Sequence, residues 1–315
     1  MAAKIHSAET KYYRWPRRAP VSNGVHTWTD MQMGVVTIVT DDGLTGIGIG
    51  SASPGEREFR ETFCQLIIGT DADLTERIWA MLSDSKMYGR RGFETAALSP
   101  IDMALWDIKA KRAKLPLHRL IGGYRDSVPI YIAGGYYGDG KTMIDLQKEM
   151  ASYVEKGARA VKLKVGRLSP TEDAARVGAV RAAIGPDIKL MVDANCAYWT
   201  HEAVQFAART ERFDIAWFEE PIAPENYEGY GKIGRQTSIP IAAGEQEYRL
   251  HGFRDLIATG GVAIIQPDAR WMGGITEFKK VSALAQAHGI AVAAHGPQHL
   301  HLPLIGAIPR LLPQG

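Results

Sequence analysis

The order of apolar and polar positions divides the chain into two differently patterned parts. From about Lys4 to Gly50, short β-prone runs alternate with turns: IHSAETKYY, MGVVTIVT and LTGIGIG, with Asp42-Gly43 reading as a hairpin turn between the last two. After Pro54 the pattern becomes helical through EREFRETFCQLI, LTERIWAML and PIDMALWDIKAKRA, where Ile101, Leu105 and Ile108 recur at helical spacing. Residues 1–127 are therefore expected to form an α+β capping domain. From Val128 onward, continuous apolar runs alternate with amphipathic helices: VPIYIAG, ARAVKLKVG, IKLMVDAN, IAWFEEP, IPIAAGE, VAIIQPD and IAVAAHG. Apolar runs without polar alternation belong to strands covered on both faces, as in parallel α/β folds.

The helices between these runs carry their own punctuation. Ser169 and Glu172 form a capping box with Pro170 in the first turn, Val177, Val180 and Ile184 make a stripe, and Gly185-Pro186 ends it. Another helix is predicted to start at Thr276, bury Phe278, Val281 and Ala285, and stop at Gly289. Seven evenly spaced strand–helix units predict a TIM-type (β/α)8-like barrel over residues 128–315 rather than an open doubly wound sheet. An eighth unit is not visible before Gly315, so the expectation is either a fragment or a barrel closed by an element from elsewhere.

Composition narrows the partners. With 45% hydrophobic and 23% charged residues the chain has ample material for a core, and a net charge of +2 with interspersed signs argues against nucleic acid as a ligand. Cys64 and Cys196 lie far apart without metal-type spacing, which fits a reducing, cytoplasmic setting. No secretory leader pattern and no stretch of 18 apolar residues occurs, so a membrane role is not expected. The expected partner is a small molecule.

In a β/α barrel the chemistry sits at the C-terminal strand ends. Asp193 ends IKLMVD, Glu219 ends IAWFE and Glu245 follows IPIAAG, each 26 residues after the last (219 minus 193, 245 minus 219). An acid after a strand is most often a helix cap or a surface group. Three of them one strand–helix period apart converge at one mouth, where they would repel unless a cation neutralised them. Oxygen ligands without a Cys or His cluster point to Mg²⁺ rather than zinc. In AVKLKV, Lys162 and Lys164 share a strand face, and two adjacent ammonium groups are expected to pull a lysine pKa down toward a base's working range. Asp268 and His295, ending the sixth and seventh runs, are expected to form a hydrogen-bonded dyad. Two proton carriers facing each other across a hard cation is the arrangement that enolisation of a carboxylate requires. GIGIG at 46–50 does not match a dinucleotide fingerprint and is read as turn and loop, while Tyr136 and Tyr137 fit either pocket lining or packing.

The segments ALSPIDMALWDIKAK with LIGG, VKLKVG, VDAN, WFEEP, AAGE, QPDARWMGGITE and AAHG together resemble the mandelate racemase subgroup of the enolase superfamily over nearly the whole chain. The resemblance implies that Asp193, Glu219 and Glu245 hold Mg²⁺, Lys164 is the base, Lys162 its electrostatic partner, Asp268 with His295 the dyad, and Asn195 a contact to a substrate hydroxyl. It also implies cap loops over the mouth, here around residues 20–29 and 50–57, and dehydration of a sugar acid as the leading activity. Racemisation or epimerisation of a 2-hydroxy acid, cycloisomerisation of an acid-sugar lactone, and an inactive metal-binding barrel are the alternatives. A homo-oligomer is expected. Two departures stand out: nothing matches the acid commonly supplied by the eighth strand, and the C-terminal segment that packs back on the cap is missing from these residues.

Overall fold

A computed structural model of the protein describes residues 3–84 and 91–309. Strands β1 (Ile5–Ser22), β2 (Thr27–Thr40) and β3 (Thr45–Gly50) form an antiparallel sheet in that order. Alternate residues of β2 turn inward, so Val36 and Ile38 meet Phe63, Ile78, Leu98, Ile101, Leu105 and Ile108 from helices Pro54–Leu66, Thr75–Ser83 and Phe93–Ala113. The Asp42-Gly43 turn joins β2 to β3.

Three local expectations are corrected here. GIGIG is not a loop but strand β3, laid so closely on helix Phe93–Ala113 that a Cβ at Gly48 would sit 1.7 Å from the Pro100 carbonyl oxygen. That helix also starts seven residues before Pro100 and carries the proline inside it. The segment expected as a loop around 20–29 is mostly strand. β1 is an edge strand, which tolerates Pro16 and Pro20 because its outer N–H groups have no ladder partner to lose, and a register irregularity between Pro16 and Val21 absorbs the residues between them. Only residues 23–26 turn, with Asn23 Oδ1 accepting from the N–H groups of Val25 (2.8 Å) and His26 (2.6 Å).

All seven predicted runs form parallel strands: β4 (Ile132–Gly134), β5 (Ala160–Lys164), β6 (Lys189–Asp193), β7 (Ile215–Glu219), β8 (Ile241–Ala243), β9 (Ile264–Ile265) and β10 (Ala291–Val292). They pair in chain order, and among the described residues β4 and β10 each pair on one side only. One face of the strands holds an inner layer with Tyr131, Met191, Trp217 and Ile264. The other face, with Val161, Leu190, Phe218 and Ile265, packs on the surrounding helices. Helix Pro170–Ile184 has the predicted capping box, buries Val177, Val180 and Ile184, and ends at Gly185.

The helix expected from Thr276 spans Gly274–Ala287, because Thr276 serves the cap instead of capping its own helix. Its hydroxyl donates to Asp102 Oδ1 (2.5 Å) and its N–H to Asp102 Oδ2 (2.9 Å), while Trp106 Nε1 donates to the same hydroxyl (2.9 Å). Gly273 N–H donates to Ser99 Oγ (2.9 Å), and Trp79 Nε1 donates to Gly273 O (2.8 Å). Helix Phe93–Ala113 is thus keyed into the segment after β9. At the opposite side the hairpin tip docks through Tyr137 N–H to Ser22 O (2.9 Å). Among the described residues, no helix is long and apolar enough to cross a membrane.

Candidate active site

The pleat carries the functional side chains to one mouth. Asp193 and Glu219 end β6 and β7, Glu245 lies two residues beyond β8, and one carboxylate oxygen from each lies within 4.8 Å of the others. All three residues are buried. On β5, Lys162 and Lys164 point to the same side, as the i, i+2 spacing predicted. Lys162 Nζ donates to Glu219 Oε1 (2.5 Å) and lies 3.2 Å from Asp193 Oδ2, and Lys164 Nζ donates to Asp193 Oδ2 and to Asn195 Oδ1 (2.9 Å). Asn195 sits in the left-handed region (φ 44°), and its N–H donates to Asp193 Oδ1 (2.9 Å).

The expected depression of the lysine pKa values is corrected by this geometry. Burial does oppose the charge on both, but Glu219 beside Lys162 and Asp193 beside Lys164 outweigh it and hold each above the ordinary lysine value. The sequence showed two ammonium groups side by side, and not that each would rest on a carboxylate. Burial likewise opposes charge on Asp193, yet Lys164 and Lys162 hold its carboxyl below the usual range. Glu245 is raised by burial, with His295 pulling the other way and Asp193 and Glu219 adding to the rise.

Across the mouth, His295 Nδ1 lies 2.9 Å from Asp268 Oδ2, and its Nε2 lies 3.4 Å from Glu245 Oε2. Burial disfavours the imidazolium, but Glu245 and Asp268 more than offset it and raise the His295 pKa. Asp268 has supports that sequence reading missed. Arg270 grips it through Nε (3.0 Å and 3.1 Å), Nη2 (2.6 Å) and its backbone N–H (2.9 Å). Buried His301 accepts the Ala269 N–H at Nε2 (3.0 Å) and lies 3.5 Å from Asp268 Oδ1. Two residues after the aspartate, Arg270 was detectable as a charge beside a predicted site acid. His301 lies 33 positions away (301 minus 268) and had no local signal.

Glu220 was also missed. It is buried next to Glu219, with φ 40°, and accepts from Gln246 Nε2 at 3.2 Å and 3.1 Å. Of the two tyrosines left open, Tyr137 packs: its hydroxyl donates to Asp173 Oδ1 (2.5 Å). Tyr136 faces the site, with Lys164 Nζ 5.6 Å from its ring centre. A cleft of about 590 Å³ between cap and mouth is lined by Ser51, Glu56, Phe93, Gln246, Tyr248 and Trp271. Trp271 Nε1 donates to Glu245 O (2.5 Å), and its ring lies 5.8 Å from that of His295.

The donor set fits a hard dication. It is three carboxylates without sulfur, and Glu245 Oε2 is buried with no hydrogen-bond partner, an orphaned acceptor of the kind a cation satisfies. A parallel β/α sheet with such a set at its strand ends defines a barrel enzyme of the metal-assisted class. Residues 145–314 match the family described as enolase C-terminal domain-like, and residues 6–122 match the mandelate racemase / muconate lactonizing enzyme N-terminal domain. The chain belongs to the mandelate racemase subgroup of the enolase superfamily.

Three similar proteins carry different activities. A 3,6-anhydro-alpha-L-galactonate cycloisomerase from Streptomyces coelicolor is 34% identical over 97% of this chain and 86% of its own. An arabinonate dehydratase from Saccharolobus solfataricus is 34% identical over 84% of this chain and 72% of its own. A solved racemase from Streptomyces coelicolor with bound magnesium superposes with a TM-score of 0.93, at 33% identity over 98% of this chain and 88% of that one.

Proposed function

We propose that the protein is a Mg²⁺-dependent acid-sugar dehydratase, converting a 2-hydroxy sugar acid to a 2-keto-3-deoxy acid. The observation that carries this reading is the convergence of Asp193, Glu219 and Glu245 between Lys164 on one wall and His295 on the other. Arabinonate dehydratase, similar over most of the chain, supports dehydration of a sugar acid. Mg²⁺ held by the three carboxylates would bind the substrate carboxylate and neutralise the charge that develops on it. A cation sharing Asp193 and Glu219 would weaken the hold of these carboxylates on the lysine charges, and the Lys162 ammonium beside Lys164 would then favour release of the Lys164 proton. Lys164 takes the α-proton, and Lys162 stabilises the enediolate oxygens. His295, kept in one tautomer by Asp268, gives its proton to the departing β-hydroxyl. Asn195, held at Lys164, contacts a substrate hydroxyl.

In this proposal residues 1–127 are the cap, and its residues Ser51 and Glu56 in the cleft select the substrate's distal end. Two unpaired cysteines support a reducing, cytoplasmic setting. The β1–β2 ribbon exposes Tyr13, Trp15, Trp28 and Met31, which supports homo-oligomeric assembly, testable by sedimentation velocity. The reaction is tested by incubating the protein and Mg²⁺ with a library of mono- and diacid sugars in D₂O. A 2-keto product is expected. Exchange with inversion and no keto product would replace dehydration with racemisation, and ring opening of an acid-sugar lactone would replace it with cycloisomerisation.

A further inference from the structure

The barrel's inner apolar layer includes Ala160, Met191, Trp217, Ala242, Ile264 and Ala293. Residues two positions on share the same strand face one step nearer the mouth. That next layer is Lys162, Asp193 and Glu219 on β5, β6 and β7, joined just past the ends of β8, β9 and β10 by Gly244, Gln266 and His295. Gln266 is its one polar member that the mechanism leaves unused. It is fully buried, and neither Oε1 nor Nε2 has a hydrogen-bond partner. A buried carboxamide empty at both ends is costly and rare in protein interiors, so it calls for a ligand or a state that satisfies it.

Its surroundings say which. Gln266 N–H donates to Ala243 O (2.9 Å), so the residue lies against the strand that carries Glu245. Gly244 intervenes with φ 120°, and a Cβ there would strike Phe253 at 2.8 Å, so this position adds no side chain between Gln266 and its neighbours. Glu245 Oε2 is a buried acceptor without a hydrogen bond, its ion-pair neighbour His295 Nε2 standing off at 3.4 Å. A donor without a partner and an acceptor with room for a hydrogen bond thus lie just past the ends of the paired strands β9 and β8, beside the ring that would hold the cation.

We propose that Gln266 is a positioning residue of the Mg²⁺ site, its carboxamide N–H donating to the Glu245 carboxylate when the cation is bound. The inference rests on the Mg²⁺ reading above and adds a residue to it. The metal-free protein carries the unpaired amide as a standing instability, relieved on loading.

The test is Gln266→Met, of similar length and without the amide, with Gln266→Leu as a second variant should the first fail to fold. Calorimetric titration with Mg²⁺ and thermal melting in chelator are measured for each. The expected result is Mg²⁺ affinity weakened by about 10–100-fold, the usual loss when a partner of a metal ligand is removed. The metal-free melting temperature should hold or rise, since an unsatisfied buried amide is exchanged for an apolar group. A purely structural glutamine would show the reverse, a lower metal-free melting temperature at unchanged affinity, and that overturns the proposal. Unchanged affinity beside a Mg²⁺-responsive unsubstituted protein sinks the Gln266 role alone. If the unsubstituted protein does not respond to Mg²⁺ and Glu219→Gln behaves identically, the metal reading fails and this inference falls with it.

Discussion

Lys162 and Lys164 rest directly on Glu219 and Asp193, whereas His295, across the mouth, rests on Asp268, a carboxylate outside the proposed ligand set. The lysine wall shares its counter-charges with the cation site, so proton carrier and metal cannot be altered independently. The histidine wall draws on two counter-charges: Glu245 of the proposed set, 3.4 Å away, and Asp268 outside it, gripped by Arg270 and backed by His301. The cap braces each wall separately. The hairpin tip meets the lysine side through Tyr137, whose partner Asp173 also accepts the Gly166 N–H just beyond β5 (2.8 Å). Helix Phe93–Ala113 meets the histidine side through Gly273 and Thr276.

The largest effect expected from this asymmetry is that of Lys164→Ala. Loss of the base should reduce α-deuterium exchange by about 10²–10⁴-fold. Calorimetry should at the same time show tighter Mg²⁺ binding, because an ammonium group that shared Asp193 is gone. Retained exchange would overturn Lys164 as the base, and weakened Mg²⁺ binding would refute the shared counter-charge. Next comes His295→Asn, which should remove keto-acid formation by a similar factor while exchange continues at Lys164. Equal loss of exchange in both variants would abolish the distinction between the walls. A smaller effect on turnover is expected from Arg270→Met, which leaves the buried Asp268 short of its main counter-ion. Removing one partner of a buried pair costs about 3 kcal/mol, measurable by denaturant unfolding, and Mg²⁺ affinity should not move. A weakened Mg²⁺ site in this variant would show that Asp268 and its supports are not independent of the cation site.

The sequence was legible where local periodicity carries the information. Asp193, Glu219 and Glu245 each end or follow an apolar run at a constant period, and Lys162 and Lys164 obey the two-residue strand repeat, so their convergence followed from pleat and barrel alone. What it could not supply depends on contacts between distant segments. The lysine pKa values move up because of carboxylates on β6 and β7, which strand pattern does not rank by distance. His301 reaches Asp268 by way of a helix turn, and Gln266 looked like any polar residue at a strand end. In the cap, the loop that the family resemblance implied around residues 20–29 is mostly strand, and the sequence does not say that the strand carrying Pro16 and Pro20 lies at the sheet edge.

The smallest expected effect concerns the brace behind the histidine wall. Burial pushes the Asp102 carboxyl up to about 7, against the lowering effect of its hydrogen bonds from Thr276. The folded protein therefore binds this proton more tightly than the unfolded chain, whose carboxyl titrates at about 3.9. The stability that Asp102 contributes is full below that lower value and declines as pH rises toward about 7. Asp102→Asn mimics the protonated form, with a carbonyl oxygen to accept the Thr276 N–H and an amide to donate to its hydroxyl. Thermal melts of the variant should lose the part of the fall in stability between about pH 4 and about pH 7 that Asp102 causes in the unsubstituted protein. Both proton transfers should be unchanged, because the brace keeps its geometry. A variant with an undiminished pH slope would show that Asp102 is already ionised throughout that window. A variant that loses keto-acid formation while keeping exchange would show that the charge on Asp102, and not only its hydrogen bonds, reaches the histidine wall.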